Sequence, residues 1–272
     1  MDMTRLPEWE VAAAPVQVWM ILGQIQHVVM TESKLFGGNA VKYFSLVQQF
    51  MSLVFLILNL VILALSLVPG IISTYLVFEW TESWSMLWRC IAISLSLSGC
   101  YIFHQITLPL LCGLVFQLLP IRYPEGEFSL HSLNGVRWAA CTALHRLSRQ
   151  HFPMYSLPSS YVNLYYRLMG AKIARGVQIA SLLINDPQHV SIGKGSLIGG
   201  GAIINSHSVE NGNLIVAANR IGTNVTIGLN SVLLAGVCVD DSALVGARSV
   251  VTKHKVVPTG EKWIGTPAKK ME

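Results

Sequence analysis

Charged residues are scarce in this chain, and the scarcity is uneven. Only 12% of the 272 residues are charged, whereas a soluble domain typically has about 25%. No Asp, Glu, Lys or Arg occurs in residues 43–78 or in residues 90–121. A bilayer crossing needs about 20 mostly apolar residues, so each interval can hold a transmembrane helix. The pattern predicts a membrane part, followed from residue 161 by a globular part.

Clustered cations, cysteine pairs and histidine clusters are also lacking. The formal net charge is +5, but the basic residues never form a run with aromatics between them, as a nucleic-acid-binding patch would. The five cysteines include no CxxC pair, which argues against a zinc knuckle and a disulfide framework. The globular part has His189, His207 and His254, and no second histidine follows His207 in its loop to complete a three-ligand set. We therefore expect reduced thiols, no metal and no nucleic-acid partner.

The two apolar intervals predict a hairpin of membrane helices. We place the first span in residues 44–68, where Pro69 and Gly70 are expected to end the helix, and the second span in residues 90–119. Three tryptophans between the spans suit the headgroup zone: Trp80, Trp84 and Trp88. His104, inside the second span, is either a proton-handling group or a histidine bonded to a neighbouring helix, and we favour the second interpretation.

The basic residues that flank the spans predict the orientation of the hairpin. Lys34 and Lys42 precede the first span, and the connecting loop has only Arg89. Four arginines follow the second span: Arg122, Arg137, Arg146 and Arg149. By the positive-inside rule, both termini and the globular part face the cytoplasm. Residues 1–42 do not read as a secretory signal, and within them we expect an interfacial or packed helix in residues 11–30.

The C-terminal region repeats with a period of six. Its aliphatic residues are Ile173, Ile179, Ile192, Ile198, Ile204, Ile221, Ile227, Leu233, Val239, Val245, Val251 and Val257. Neither the helix period of 3.6 nor the strand period of 2 produces this spacing. Each hexad instead forms one side of a triangular coil, with the aliphatic side chain inside and coils stacked as in a solenoid. Five glycines directly follow aliphatic positions, and we expect them to relieve strain at the turns: Gly193, Gly199, Gly222, Gly228 and Gly246.

One segment interrupts this period. Between Ile204 and Ile221 the chain is too long for one hexad, so the sequence SHSVENGNLIVAANR is predicted to leave the prism as a loop or a short hairpin. Loops on a rigid scaffold frequently carry function. His207 lies at the start of this segment, which makes it the first candidate for a functional residue.

Longer stretches of the sequence resemble a known superfamily. The segment RIGTNVTIGLNSVLLAGVCVDDSALVGARSVVTKHKVVPTGEKWIGTPAKK resembles the end of hexapeptide-repeat acyltransferases, in particular maltose and galactoside O-acetyltransferases. The segments YYRLMGAKIARGVQIAS, INDPQHVSIGKGSLIGG and NSHSVENGNL resemble more closely the membrane-bound terminal domain of poly-lysine-synthetase-type nonribosomal peptide synthetases. The resemblance implies a membrane helical hairpin followed by an all-β left-handed parallel β-helix.

The domain division that follows has four parts. Residues 1–42 form the N-terminal segment, residues 43–121 the two transmembrane helices with a short loop, residues 122–160 a helical linker, and residues 161–272 the left-handed β-helix.

The resemblance also implies a set of functional residues. His207 matches the general base, and Asp186 matches a residue that binds the acceptor, although it could instead orient the histidine or cap a turn. Asn205 and Ser206 are candidates for lining the substrate pocket, and ordinary turn chemistry explains them as well. Coenzyme A, or a phosphopantetheine thioester on a carrier protein, is the implied co-substrate, with four candidate binding residues: Lys253, Gly228, Gly246 and Ala247. Thr226 replaces the tryptophan usual in one of the coils.

Two functions remain open at this stage. The first is a membrane-anchored acyltransferase that moves an acyl or aminoacyl group from a pantetheine thioester to an amine or hydroxyl. The second is a non-catalytic β-helical scaffold at the membrane. Because the resemblance places active sites between neighbouring prisms, it implies a homotrimer with closed cyclic symmetry. A carrier protein and membrane lipid are the other implied partners.

Overall fold

A computed structural model describes residues 38–272, with side chains from residue 49 onward. The helix predicted in residues 11–30 lies outside the described residues. The chain divides into a unit that ends at Val54 and a unit that begins at Phe55. The described part of the first unit is helical. The α-helices are α1 Gly38–Trp80, α2 Met86–Leu118, α3 Leu133–His151 and α4 Ser160–Leu168, with 3₁₀ turns at Met154–Ser156 and Pro187–His189.

The strands follow α2 and are mostly short. In chain order they are β1 Gly126–Ser129, β2 Lys172–Ile173, β3 Gln178–Ile179, β4 Ile184–Asn185, β5 Val190–Ile192, β6 Leu197–Ile198, β7 Ile203–Asn205, β8 His207–Glu210, β9 Asn213–Val216, β10 Asn219–Ile221, β11 Thr226–Ile227, β12 Val232–Leu233, β13 Cys238–Val239, β14 Leu244–Val245, β15 Val250–Val251, β16 Val256–Val257, β17 Lys262–Gly265 and β18 Ala268–Lys270.

Two of the helices are long and apolar enough to cross a membrane. The stretches that qualify are Gln49–Trp80 in α1 and Met86–Leu118 in α2. The second agrees with the predicted span. The prediction that Pro69 and Gly70 end the first helix is wrong, because α1 continues to Trp80.

Helix packing explains why α1 continues through these residues. A Cβ at Gly70 would overlap the side chain of Cys100, so this glycine lets α2 approach α1 closely. Beyond it, the Thr74 hydroxyl donates to the Gly70 carbonyl and contacts the Ser96 hydroxyl of α2 at 3.0 Å. Pro69 removes one backbone donor from α1, and the close contacts with α2 that follow it keep the segment helical.

His104 bonds to neighbouring helices, and this confirms the favoured interpretation. Its Nδ1 lies 2.7 Å from the Ser66 hydroxyl of α1, and its Nε2 lies 3.1 Å from Nδ1 of His151 at the end of α3. The imidazole therefore joins three helices through two hydrogen bonds.

The six-residue period folds into a three-sided parallel β-helix, and the predicted fold class is confirmed. The faces are β2-β5-β10-β13-β16, β3-β6-β11-β14-β17 and β4-β7-β12-β15. Registers such as Ile221 opposite Val239 and Val239 opposite Val257 show that three hexads make one coil. All twelve aliphatic positions are buried, with Ile173 the most exposed of them at 8%. The antiparallel strand β18 pairs with β17 at the C-terminal end.

The turns of the coil depend on different residues from those expected. None of the five glycines that follow the aliphatic residues has a positive φ; left-handed backbone instead occurs three residues after the aliphatic position, as at Asn224, Asn230 and Gly236. The expected glycines have another role. At Gly228 a Cβ would overlap backbone atoms of Gly246 and Ala247 in the next coil, so these glycines permit close stacking of coils.

The interruption of the period is a β-hairpin with a third strand from the linker. Strands β8 and β9 are antiparallel and joined by Asn211 and Gly212, both with positive φ, as a two-residue hairpin turn requires. Strand β1 pairs antiparallel with β9 from Gly126 to Ser129. The sequence predicted a loop or a short hairpin here, and the structure has the hairpin; it did not predict β1, which lies in the segment expected to be helical. This three-stranded sheet is called the flap below.

Helices α3 and α4 pack around a buried histidine and two buried tyrosines. The imidazole of His145 stacks on Tyr165 at 5.9 Å between ring centroids, and its Nδ1 lies 2.6 Å from the Tyr165 hydroxyl. Burial and, to a smaller extent, the nearby Arg149 charge together lower the pKa of His145 to about 4, against the opposing effect of Asp186. The histidine is therefore neutral in the folded protein at pH 7.

This histidine predicts a loss of stability in mild acid. Between pH 6.5 and about 4 the unfolded chain binds a proton on His145 and the folded chain does not, so the free energy of unfolding decreases as the pH falls through this window. The shift corresponds to roughly 3 kcal/mol. We expect His145→Gln to reduce the dependence of the thermal midpoint on pH, measured from pH 7 to pH 4. The matched control is His131→Gln, and an equal pH dependence in His145→Gln and wild type would contradict the assignment.

Candidate active site

One corner of the β-helix brings three of the predicted site residues together. Asp186 follows β4, His207 follows β7 after one residue, and Lys253 lies two residues after β15. Because β4, β7 and β15 belong to the same face, the chain leaves that face at the same corner in each coil. Asp186, His207 and Lys253 therefore lie in one column of the solenoid, although Asp186 and Lys253 are 67 positions apart in sequence.

His207 and Asp186 form a hydrogen-bonded pair at this corner. Nδ1 of His207 lies 2.5 Å from Oδ2 of Asp186. The carboxylate side chain is only 2% exposed, whereas the imidazole is 22% exposed. The pair thus has a buried acidic partner and a partly accessible ring. Since Nδ1 faces the carboxylate, the other ring nitrogen is the one that can meet a ligand.

Two aromatic residues from outside the β-helix complete the surroundings of Asp186. Its Oδ1 accepts a hydrogen bond of 2.7 Å from the Tyr123 hydroxyl and one of 3.1 Å from Trp138 Nε1. The Trp138 ring also meets the His207 ring edge-on, at 5.1 Å between centroids. Both carboxylate oxygens are therefore engaged by residues of this chain.

The balance of burial and hydrogen bonding keeps Asp186 ionised. Burial alone would raise its pKa, but the hydrogen bond and charge of His207, together with the Tyr123 hydrogen bond, hold the pKa below its ordinary value. Burial and the Asp186 charge raise the pKa of Tyr123 far above that of a free tyrosine. The phenol therefore stays protonated and donates a hydrogen bond to Asp186. An ionised carboxylate opposite Nδ1 favours the tautomer with the proton on that nitrogen.

Local backbone geometry fixes the position of Asp186. The residue adopts the left-handed conformation, with φ of 56°, and Pro187 then begins a 3₁₀ turn that ends at His189. The His189 ring packs on Tyr123 at 5.0 Å between centroids. On the other side, β1 begins three residues after Tyr123 and pairs with β9, which holds the linker against the flap hairpin. The linker and the flap therefore enclose the carboxylate together.

Asn205 and Ser206 form hydrogen bonds within this corner of the β-helix. The Asn205 side chain accepts a 2.5 Å hydrogen bond from Asn185, and its carbonyl accepts one of 2.8 Å from Asn219. Ser206 is fully buried, and its hydroxyl donates to the His189 carbonyl at 3.4 Å. Both side chains are thus engaged within the coil, and their role in lining a substrate pocket stays a prediction.

The residues predicted to bind coenzyme A occupy two different corners. Gly228 follows β11 and Gly246 follows β14, so both lie where the second face ends, together with the exposed Ala247. Their backbone N–H groups donate to Val245 and Trp263 within the coil stack. Lys253 lies in the column of His207 and forms an ion pair with Glu210 of the flap. Among the residues that the structure describes, no group of three or more His, Cys, Asp or Glu is arranged to hold a metal.

Tyr123 and Trp138 are the residues of the site that the sequence did not reveal. They lie in the linker, more than 40 residues before Asp186, in a region without the six-residue period. No repeat or motif marks either residue, so the sequence alone could not single them out.

Fold and site together define a hexapeptide-type parallel β-helix with a histidine–aspartate pair at its external flap. Comparison of sequences confirms the resemblance. The chain is 32% identical over 158 residues to the δ-poly-L-ornithine synthetase of Acinetobacter baumannii, a match that covers 58% of this chain and 12% of that protein. It is 31% identical over 107 residues to the putative acetyltransferase YvoF of Bacillus subtilis, covering 38% of this chain and 61% of that protein. The chain thus spans about an eighth and about three fifths of these relatives.

Two further comparisons complete this result. No family model matches the chain. Among solved structures, a maltose O-acetyltransferase from Clostridium difficile aligns with 54% of this chain and 92% of its own, at 17% identity and a TM-score of 0.37.

Proposed function

We propose that this protein is a membrane-anchored acyltransferase that moves an acyl or aminoacyl group from a pantetheine thioester to an amine or hydroxyl. The observation that carries the proposal is the His207–Asp186 pair, with a buried ionised carboxylate on Nδ1 and a partly exposed ring. A histidine held in this way is suited to act as a general base near neutral pH. Relatives described as an ornithine-polymer synthetase and an acetyltransferase support the same reaction class.

The reaction requires a general base that removes one proton from the acceptor and then gives it to the leaving sulfur. As the acceptor nitrogen or oxygen forms its bond to the thioester carbonyl carbon, Nε2 of His207 takes the proton of that acceptor. The imidazolium that results is stabilised by Asp186. When the carbon–sulfur bond breaks, the sulfur leaves and receives this proton, which yields the free thiol and the neutral imidazole. In this scheme His207 is the catalytic residue and Asp186 is a positioning residue.

The donor side of the proposal involves the four residues predicted to bind coenzyme A. Lys253 stands in the same column as His207, where its ammonium can meet a phosphate of coenzyme A if it exchanges Glu210 for the ligand. Gly228, Gly246 and Ala247 add little bulk at the neighbouring corner, which suits the approach of a slender pantetheine arm. A phosphopantetheine arm on a carrier protein has the same reactive end and is the second form of this donor.

The assembly proposed with this function is a homotrimer. A single prism presents His207 on a convex corner, and a second prism of the same chain would supply the opposite wall of a cleft. Closed threefold symmetry gives each copy one such cleft. The hairpin of α1 and α2 is the proposed anchor, and the arginines that follow α2 support the proposal that the β-helix faces the cytoplasm.

A thioester assay on the detergent-purified full chain tests the proposal. We expect acetyl-coenzyme A to release free thiol faster when ornithine, lysine or maltose is added as acceptor. We also expect coenzyme A to raise the thermal midpoint by several degrees, because a ligand at a hundred times its dissociation constant stabilises a protein by about 2.7 kcal/mol. ATP serves as the control nucleotide without a thiol.

The opposite result would favour the scaffold function. Thr226 in place of the usual tryptophan and the engagement of Lys253 by Glu210 are the observations on that side. No thiol release with any acceptor, together with an unchanged thermal midpoint at saturating coenzyme A, would contradict the acyltransferase.

A further inference from the structure

A cavity lies at the end of the second long helix, outside the His207 site. Its volume is about 430 Å³. It is lined by the last residues of α2, the following turn and one residue of α3: Gln117, Leu118, Leu119, Pro120, Arg122 and Arg137. The cavity therefore combines two cations, one amide and several apolar side chains.

The two arginines have no acidic partner among the residues whose side chains the structure describes. Arg122 donates from Nη2 to the Gln117 side chain and lies over the Phe116 ring at 5.6 Å. Arg137 donates from Nη1 to Asn134 at 3.3 Å. A guanidinium carries five N–H donors, so each arginine keeps most of its donors for a ligand. Two such groups around one cavity fit the oxygens of a phosphate, which arginine binds in a bidentate manner.

The apolar side chains of the cavity favour an amphiphilic ligand over a small inorganic ion. Leu118 is 73% exposed and Leu119 is 39% exposed, at the end of a helix that is long and apolar enough to cross a membrane. A small inorganic ion would leave these side chains in water. An amphiphile with an anionic head covers them with its acyl chain and places its phosphate at the arginines, where basic pockets beside membrane helices bind headgroups.

We infer that this cavity binds the phosphate headgroup of an anionic phospholipid. The inference rests on the proposed membrane anchoring and does not depend on acyl transfer. Its position gives it a link to the His207 site, because each arginine is directly followed in sequence by one of the aromatic residues that donate to Asp186. Arg122 precedes Tyr123, and Arg137 precedes Trp138. A bound headgroup would thus hold the two backbone segments that position the carboxylate.

Lipid retention measured by native mass spectrometry tests this inference. The full chain is placed in nanodiscs made of equal amounts of phosphatidylglycerol and phosphatidylcholine, and the lipids that remain bound after release are counted. We expect wild type to retain phosphatidylglycerol preferentially. Arg122→Gln and Arg137→Gln should each lower that preference by roughly fivefold, since each arginine near an anionic surface contributes a comparable factor.

Arg146→Gln is the matched control, because Arg146 is an exposed arginine on the same helix as Arg137 but does not line the cavity. Equal retention of the two lipids by wild type, or an unchanged preference in the Arg122 and Arg137 variants, would overturn the inference.

A second experiment adds inorganic phosphate to the same nanodiscs. If phosphate at millimolar concentration removes phosphatidylglycerol completely, the ligand is phosphate in general and the lipid assignment fails. A chain that does not enter nanodiscs at all would instead count against the anchoring, and thiol release in detergent is measured separately.

Discussion

Replacing His207 with alanine is expected to lower the turnover number for thioester transfer by about a hundredfold or more. The variant loses the nitrogen that accepts the proton of the attacking group, while the coils of the β-helix do not depend on this side chain. The thiol released from acetyl-coenzyme A is the measurement. Binding of coenzyme A is expected to stay near its wild-type value, whereas the thermal midpoint should fall by a few degrees, because the variant leaves the buried Asp186 carboxylate without its His207 partner.

The matched control for this variant is His254→Asn. His254 is an exposed histidine three residues past β15 in a left-handed backbone conformation, which asparagine also tolerates. We expect its turnover to be unaffected. Equal turnover in His207→Ala and wild type would remove His207 from the mechanism and would leave the β-helix as a scaffold.

Asp186→Asn is expected to lower the turnover number by roughly a hundredfold to ten-thousandfold. Tyr123 and Trp138 both donate to the same oxygen, so an asparagine must keep its carbonyl oxygen there and turn its amide nitrogen toward His207. The amide donates to Nδ1, which moves the imidazole proton to the other ring nitrogen. A base whose accepting nitrogen already carries a proton cannot take another from the substrate. The Michaelis constant for the donor should change little.

Two further variants make this prediction specific. Asp240→Asn changes an exposed carboxylate of the same β-helix and should retain full turnover. Tyr123→Phe removes one of the two donors to Oδ1 but leaves the carboxylate and the tautomer in place, so we expect a loss of roughly tenfold. Because the Tyr123 hydrogen bond helps to lower the Asp186 pKa, the acid limb of the rate profile should move to higher pH. If Asp186→Asn and Tyr123→Phe gave the same small loss and the same pH profile as wild type, the carboxylate would have only a structural role.

The three-sided β-helix could be predicted from the sequence because the requirement that shapes it is local. Every coil needs an aliphatic side chain at the same place on each face, and that rule appears as a spacing of six from Ile221 to Val257. The turns were harder to predict. Their left-handed positions are filled by residues as different as Asn224, Arg248 and Gly236, so no single residue type marks them. The glycines that do stand out in the sequence serve the approach of neighbouring coils.

Only part of the candidate site could be predicted from the sequence, because a local pattern does not show which distant segments contact each other. His207 was found because it opens the one interruption of the period, and Asp186 because of a family resemblance. Their direct contact follows from the shared face of β4 and β7, which requires the coil register. Tyr123 and Trp138 reach Asp186 through packing of the linker against the flap, and packing between distant segments leaves no periodic trace. Pro69 shows the converse case, where a local helix-breaking rule was overridden by the close contact of Gly70 with α2.

The pairing of β1 with β9 has a practical consequence for anyone who wishes to work without detergent. A truncated form that starts at residue 161 would preserve each rung of the solenoid, yet it would discard the outer strand of the flap and strip Asp186 of both aromatic hydrogen bonds. Such a soluble fragment would lack the hydrogen bonds that position Asp186 beside His207. The shortest informative fragment must begin before Tyr123.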